Sequence, residues 1–186
     1  MAYLLVAEKV LCRNNFTFVR MQQYRQQLTL FINEERELFE SVRARYNPAQ
    51  QALIAAHITL CREDELLLLP KVFGNIRSLR LQPVTVTLGP PQRFAEGRGL
   101  LLPGVGENAG FQELRKQVLK GVVAAPRHHH PHITLIHPRN GLCTTPIFDE
   151  LKRYTFPTQL RFKQISLIYQ QGEKAWQLQE QFDLGY

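Results

Sequence analysis

The sequence predicts an α+β fold of two related lobes, each an antiparallel sheet flanked by helices, meeting at a central cleft. Three observations predict it. The tetrapeptide H-I-T-L occurs twice, at His57–Leu60 and at His132–Leu135. Each copy adjoins an apolar, strand-like run: Leu53-Ile54-Ala55-Ala56 before the first, Leu135-Ile136 continuing the second. A similar order of helical and extended patterns surrounds each copy, so the second half echoes the first as a pseudo-twofold duplication would. Two copies rather than three or more exclude a solenoid, and the mixed pattern indicates α+β layering. Strand side chains alternate with a period of two, so the His and Thr of each copy share one face and the Ile and Leu the other.

Taken in order, residues 1–25 read as an N-terminal extension, with 26–186 forming the single bilobal domain. Leu4-Leu5-Val6 and Phe16-Thr17-Phe18-Val19 have strand character around a turn at Arg13-Asn14-Asn15, and the polar run from Gln22 to Gln27 separates them from the core. Gln27–Ile32 is the first core strand. Asn33 suits a helix N-cap, Glu34, Glu35 and Glu37 suit its first turn, and Pro48 ends it. The first H-I-T-L strand spans about 52–61, as judged by its apolar run. A helical run from Glu63 to Ser78 follows, interrupted by Pro70. Val84, Val86 and Leu88 alternate with Thr85 and Thr87 in a half-buried strand. A second strand lies near Phe94 and Leu100–Leu102. Asn108 caps a helix with Phe111, Leu114 and Val118 as its apolar stripe and Gly121 at its end. The second H-I-T-L strand covers about 131–137, then a helix covers about 146–154 behind the Thr145-Pro146 start, by the pattern of caps and charges. Leu160–Gln170 and Ala175–Phe182 close the chain as strands joined at Gln171-Gly172-Glu173.

The 186 residues carry 23 Lys and Arg against 16 Asp and Glu, a net charge of +7 that suits an anionic partner such as RNA or a nucleotide. At 44% hydrophobic and 21% charged the chain lies in the globular range rather than the disordered one. Cys12, Cys61 and Cys143 are isolated and odd in number, which points to reduced thiols in a cytoplasmic protein and away from a disulfide framework or zinc ribbon. The N-terminal apolar run breaks at Glu8-Lys9, too soon for a signal peptide, and no apolar run is long enough to span a membrane. A monomer without an obligate protein partner is expected.

One H-x-T carries little information; two, extended to four identical residues in matched settings, carry far more. Two imidazoles facing one cleft can act as general base and general acid, because histidine titrates near neutral pH. A threonine hydroxyl two residues on lies on the same strand face and can donate to a phosphate oxygen. Such a pair of pairs would hold a phosphodiester, with the threonines steadying its charge and no metal required. Either histidine suits either role.

Paired H-x-T-hydrophobic motifs on strands of two related lobes resemble the two-histidine phosphoesterases, and more narrowly the bacterial 2'-5' RNA ligase / RNA 2',3'-cyclic phosphodiesterase family. The resemblance runs through Leu28-Thr29-Leu30-Phe31, Ala56–Arg62 and Pro131–Asn140. It implies a bilobal fold and hydrolysis of a 2',3'-cyclic phosphate to a 2'-phosphomonoester. Some members also join RNA ends reversibly through a 2'-5' bond. It makes His57 and His132 the catalytic pair and Thr59 and Thr134 the phosphate binders, without a cofactor. Alternatives are a phosphodiesterase acting on another cyclic or 2'-5'-linked nucleotide, a non-catalytic RNA-binding module and, less well supported by the motifs, a metal-dependent hydrolase.

The flanking residues suggest further contacts. Arg62, Arg127 and Arg139 are placed to meet phosphates further along an RNA. His130 shares the parity of His132 and would line the cleft entrance, while 128–130 as a whole reads as a solvated, basic lead-in. Consecutive histidines on an extended chain point to opposite faces, so His128-His129-His130 is a poor metal chelate and no metal site is expected. His137 has the opposite parity to His132 and is expected to leave the site. Tyr169 or Trp176 would stack on a base, or pack in the core as strand aromatics often do. Cys61 shares the parity of His57 and Thr59, as a small buried residue.

Overall fold

The computed structural model describes residues 4–11, 17–78 and 82–185. The first sheet is built on one long strand. β1 (Leu4–Leu11) and β2 (Thr17–Phe31) pair antiparallel, from Leu4↔Tyr24 to Leu11↔Thr17. β2 then continues beyond the hairpin. β3 (His57–Cys61) follows β1 along one edge of it, and β9 (Gln164–Gln171) takes the other edge and carries β10 (Gln177–Asp183) beyond. The polar run 22–27, expected to separate an extension from the core, therefore lies inside β2. Ladder bonds on both edges override the weak strand preference of glutamine. The turn expected at 13–15 lies outside the described residues.

The second half holds antiparallel sheet in two pieces. β4 (Val84–Thr87) pairs with β8 (Gln159–Phe162); β5 (Gln92–Phe94), β6 (Gly99–Pro103) and β7 (His132–Ile136) form the other piece. A single bridge, Leu88↔Gly104, and the Gly89 N to Pro103 O bond of 2.7 Å tie the pieces together. The strand expected over 160–170 is divided at Lys163: β8 joins this half, β9 the first sheet. The closing strands thus return to the sheet of the first H-I-T-L copy, and the two halves interleave along the chain.

Both H-I-T-L strands have the same backbone setting. In the β2–β3 pair, Phe31, Leu30 and Thr29 face His57, Ile58 and Thr59, and after a shift Leu28 faces Cys61. In the β6–β7 pair, Pro103, Leu102 and Leu101 face His132, Ile133 and Thr134, and after the same shift Leu100 faces Ile136. Each H-I-T-L strand therefore carries one extra residue, Leu60 or Leu135, as a β-bulge that inverts side-chain parity beyond it. The bulge puts Cys61 in the core, wholly buried, rather than on the face of His57 and Thr59.

The helices differ from the sequence expectation mainly at their starts. α1 (Arg36–Tyr46) is entered from Glu35 in a left-handed conformation, not from an Asn33 cap. Pro48 does not only stop α1; it opens a short α2 (Pro48–Leu53), because its fixed φ suits a first helical position. Consequently the first H-I-T-L strand begins at His57 rather than near 52. A 3₁₀ turn at Glu63–Glu65 stands apart from α3 (Leu69–Ser78), and Pro70 sits in the first turn of α3 instead of interrupting a longer helix. α4 (Ala109–Val118) follows Asn108, whose side chain does not cap it. The amide instead binds the β4 edge, accepting from Thr87 N at 2.8 Å and donating to Val105 O at 3.1 Å. α5 (Thr145–Leu151) starts with Pro146 in its first turn, with Thr144 rather than Thr145 as its N-cap residue.

α1 and α4 bury matching stripes: Phe39, Val42 and Arg43 on one, Phe111, Leu114 and Arg115 on the other. The spacing i, i+3, i+4 puts these on one face. α1 packs against β7 and α4 against β3, so each helix reaches across to the other half's motif strand. One continuous core results, running from Leu28, Leu30, Ile58 and Leu60 to Leu100, Leu102, Ile133 and Leu135. No described helix is long and apolar enough to cross a membrane.

Candidate active site

His57, Thr59, His132 and Thr134 line one cavity of about 480 Å³, and each is half-buried. Strand parity puts the pairs there: Ile58, Leu60, Ile133 and Leu135 point into the core at 0% exposure, which turns the alternate residues to the cleft.

The two imidazoles are held in the same way. His57 Nδ1 donates to Ala55 O at 2.7 Å, and His132 Nδ1 donates to His130 O at 3.1 Å. A carbonyl can only accept, so in both rings the bonded Nδ1 carries the proton and Nε2 is left with its lone pair when the ring is neutral. The His57 Nε2 stands 3.5 Å from the Gln27 amide nitrogen. The His57 pKa is lowered to about 4, chiefly by burial, with the opposing pull of the Ala55 carbonyl partly offset by the positive charge of Arg43 and the nearby His132.

The carbonyls that hold the rings are themselves clamped. Arg43 is buried, ion-paired with Glu40 at 3.1 Å, and donates to Ile54 O at 2.6 Å. Glu40 accepts from Ala56 N at 2.5 Å. The pair therefore grips the chain on both sides of Ala55. In the other half Gln112, one residue after Phe111 as Glu40 is one after Phe39, donates to His129 O at 2.7 Å and accepts from His129 N at 3.5 Å. That fixes the residue preceding His130. Arg115, the counterpart of Arg43, is 1% exposed; it pairs with Glu65 at 2.7 Å and donates to Leu60 O, within the opposite motif strand.

Of the flanking residues expected to bind substrate, Arg62 and Arg139 line the cavity and are exposed. Arg127 does not line it, and pairs with Asp64 at 2.8 Å and with Glu65 at 3.6 Å. His130 lines a neighbouring cavity of about 360 Å³, shared with His132 and Arg93. Tyr169 stacks on Tyr24, ring centroids 5.5 Å apart, and bonds Gln177; it is Trp176 that reaches the cavity.

Two histidine readings are corrected. His137 lines the cavity although strand parity sends it away. β7 ends at Ile136, so parity does not extend to it; the buried Asn47 side chain instead accepts from His137 N at 2.8 Å and sets the turn. Gly141 passes so close to the Asn47 amide that a Cβ would collide with it. Likewise 128–130 is not wholly solvated: His129 is 8% exposed, packs 6.2 Å from the rings of Phe111 and His132, and is held near pKa 4 by burial and by Arg115. Burial also raises the Cys61 thiol far above its ordinary pKa, so it is no thiolate nucleophile.

Arg25, Gln27 and Arg43 also line the cavity, although no sequence motif marks them. Gln27 shares strand parity with Thr29, the direct partner of Thr59, a signal that needs the β2–β3 register to be read. Arg43 was detectable as a charge on the apolar stripe of α1. Among the described residues no group of three or more His, Cys, Asp or Glu stands together as a metal cluster.

An α+β protein with two matched His/Thr pairs facing one cleft is a defined class, and comparison with known proteins places this chain within it. A profile of the 2'-5' RNA ligase superfamily matches residues 32–174, and the chain belongs to that superfamily. A Bacillus cytotoxicus protein named as a candidate phosphoesterase is 25% identical over 151 residues, covering 77% of this chain and 87% of that one. Among solved structures, Escherichia coli LigT complexed with NADP⁺ superposes with a TM-score of 0.60 at 18% identity, over 87% of this chain and 98% of LigT. A crystal structure of a phosphoesterase gives 0.60 at 16% identity, over 87% and 99%. The Thermus thermophilus protein TT0787 gives 0.56 at 18%, over 87% and 98%. At these identities what the solved structures share with the chain is the fold.

Proposed function

We propose that this protein is a phosphoesterase of RNA ends that hydrolyses a 2',3'-cyclic phosphate to a 2'-phosphomonoester. The observation that carries the reading is the pair of imidazoles in one cavity, each tied through Nδ1 to a carbonyl and each presenting Nε2. One Nε2 takes a proton from water as its oxygen bonds to phosphorus; the other histidine, protonated, gives a proton to O3' as the P–O3' bond breaks. Thr59 and Thr134 donate to the non-bridging oxygens, whose charge grows in the transition state. The step needs no metal, and the same attack on the cyclic phosphate by the 5'-hydroxyl of a second RNA end in place of water, with O3' again leaving, is the 2'-5' joining that the family name describes. The basic balance of the chain and the cleft arginines Arg62 and Arg139 suit an anionic strand. E. coli LigT has been crystallised with phosphate, ATP and 3'-AMP, ligands of matching chemistry.

Turnover of a 2',3'-cyclic nucleotide, with the 2' and 3' products resolved by chromatography, tests the reading. His57→Ala and His132→Ala should each lower kcat by roughly 10²–10⁴-fold. Full activity in both variants would remove the assignment.

A further inference from the structure

The cavity has a wall that the His/Thr chemistry does not use. Arg25 and Gln27 come from β2, and Trp176 from the link between β9 and β10. Arg25 and Gln27 precede the span of the superfamily match and Trp176 follows it. β9, paired to β2 by Arg25↔Gln170, and the Trp176 N to Leu53 O bond of 2.8 Å bring the two ends of the domain together beside His57.

Two features of this wall call for a ligand. Arg25 is half-buried, yet makes no ion pair among the described residues, whereas the buried Arg43 and Arg115 are each matched by a carboxylate. Its Nη2 bonds the neutral Gln170 amide, and its Nε is buried without a partner among the described residues. A partly desolvated guanidinium short of acceptors favours an anion with several oxygens. The second feature is the indole. The Arg25 guanidinium carbon lies 5.5 Å from the Trp176 ring centroid, and the half-buried ring lines the cavity, a stacking surface beside a cation. Such pairing of aromatic ring and arginine is how proteins hold single-stranded nucleic acid without reading its sequence.

We propose that Arg25 and Trp176 form a subsite for the nucleotide adjoining the reacting phosphate, with its base stacked on Trp176 and its phosphate on Arg25. The inference rests on the proposed RNA-end reading and deepens it. The His/Thr quartet takes one phosphate, Arg25 takes a second, and the preferred substrate is therefore an oligonucleotide end rather than a cyclic mononucleotide.

Trp176 is the single tryptophan of the chain, so intrinsic fluorescence reports on it directly. The full chain is titrated with a dinucleotide ending in a 2'-phosphate, with the matching mononucleotide and with inorganic phosphate. The dinucleotide should quench the emission saturably and bind about tenfold or more tighter than the mononucleotide, inorganic phosphate should leave it unchanged, and a dinucleotide lacking the adjoining base should lose the quench. Arg25→Met, with its fold checked by circular dichroism, should weaken dinucleotide binding by about tenfold. Trp176→Phe should keep the tighter dinucleotide binding, followed by calorimetry, and Trp176→Ala should lose it. Equal affinity for dinucleotide and mononucleotide, or quenching indifferent to the adjoining base, would overturn the subsite. These readouts need no turnover: binding as described without hydrolysis of any cyclic phosphate would defeat the catalytic reading and leave the subsite standing, and hydrolysis with equal affinities would do the reverse.

Discussion

The two H-I-T-L strands share sequence, register and bulge, but their surroundings differ in charge. Behind His57 the chain is gripped by the Arg43–Glu40 ion pair; behind His132 it is gripped by the neutral amide of Gln112. The ring bonds also differ in length, 2.7 Å to Ala55 O and 3.1 Å to His130 O. A repeated motif thus sets the geometry of two like groups, while α1 brings a buried cation close to only the first of them. The cation behind His57 adds to burial in keeping that ring neutral. What the neighbouring helix buries thus reaches the reacting ring: Arg43 helps to lower the proton affinity of His57.

Breaking the charged clamp should have the largest effect on folding. Glu40→Gln leaves the Arg43 guanidinium buried beside a neutral partner, and urea unfolding should show a loss of about 3–5 kcal/mol. The double variant Glu40→Gln, Arg43→Met removes the lone charge and should recover part of that loss, while the His57 ring, no longer beside a cation, titrates at higher pH by NMR. Gln112→Ala breaks only neutral bonds and should cost about 1–2 kcal/mol. Its signature is in the other half: loosening of the His132 Nδ1 bond, seen in the ring nitrogen shifts, with His57 unmoved. If both variants perturb both rings equally, the two clamps are not separate devices.

A smaller effect concerns pH. His129 is held near pKa 4 against an ordinary value of 6.5. Below about pH 6.5 the unfolded chain takes up this proton while the folded chain does not, so its contribution to stability is complete above that value and is lost as pH falls towards 4. Melting curves should show Tm falling over this window, and His129→Phe, which stops the titration beside Phe111, should flatten the fall. An unchanged slope would assign the acid sensitivity to other groups, the similarly depressed His57 first.

Much of the site was legible in the sequence, because the strand period alone turns His57, Thr59, His132 and Thr134 one way and Ile58, Leu60, Ile133 and Leu135 the other. What was hidden depends on pairings between distant segments. Cys61 shares the parity of His57 and Thr59 until the bulge at Leu60 inverts it, which is what seats the small side chain in the core. His137 reads as outward until β7 ends one residue before it. Arg25 and Gln27 look like a polar spacer because the ladder that makes them strand residues comes from β9, some 140 residues later. The fold class was legible from the alternation of patterns. The interleaving of the halves was not, since nothing local tells β8 and β9, separated by Lys163 alone, to join different sheets.

The proposed activity requires four side chains from two strands to act on one phosphate. A crystal structure with a 2'-phosphate-ended nucleotide tests it most directly. A single phosphate should lie within hydrogen-bond reach of Nε2 of His57, Nε2 of His132 and the hydroxyls of Thr59 and Thr134. A phosphate bound by only one His/Thr pair, or seated beside His130 in the neighbouring cavity, would contradict it.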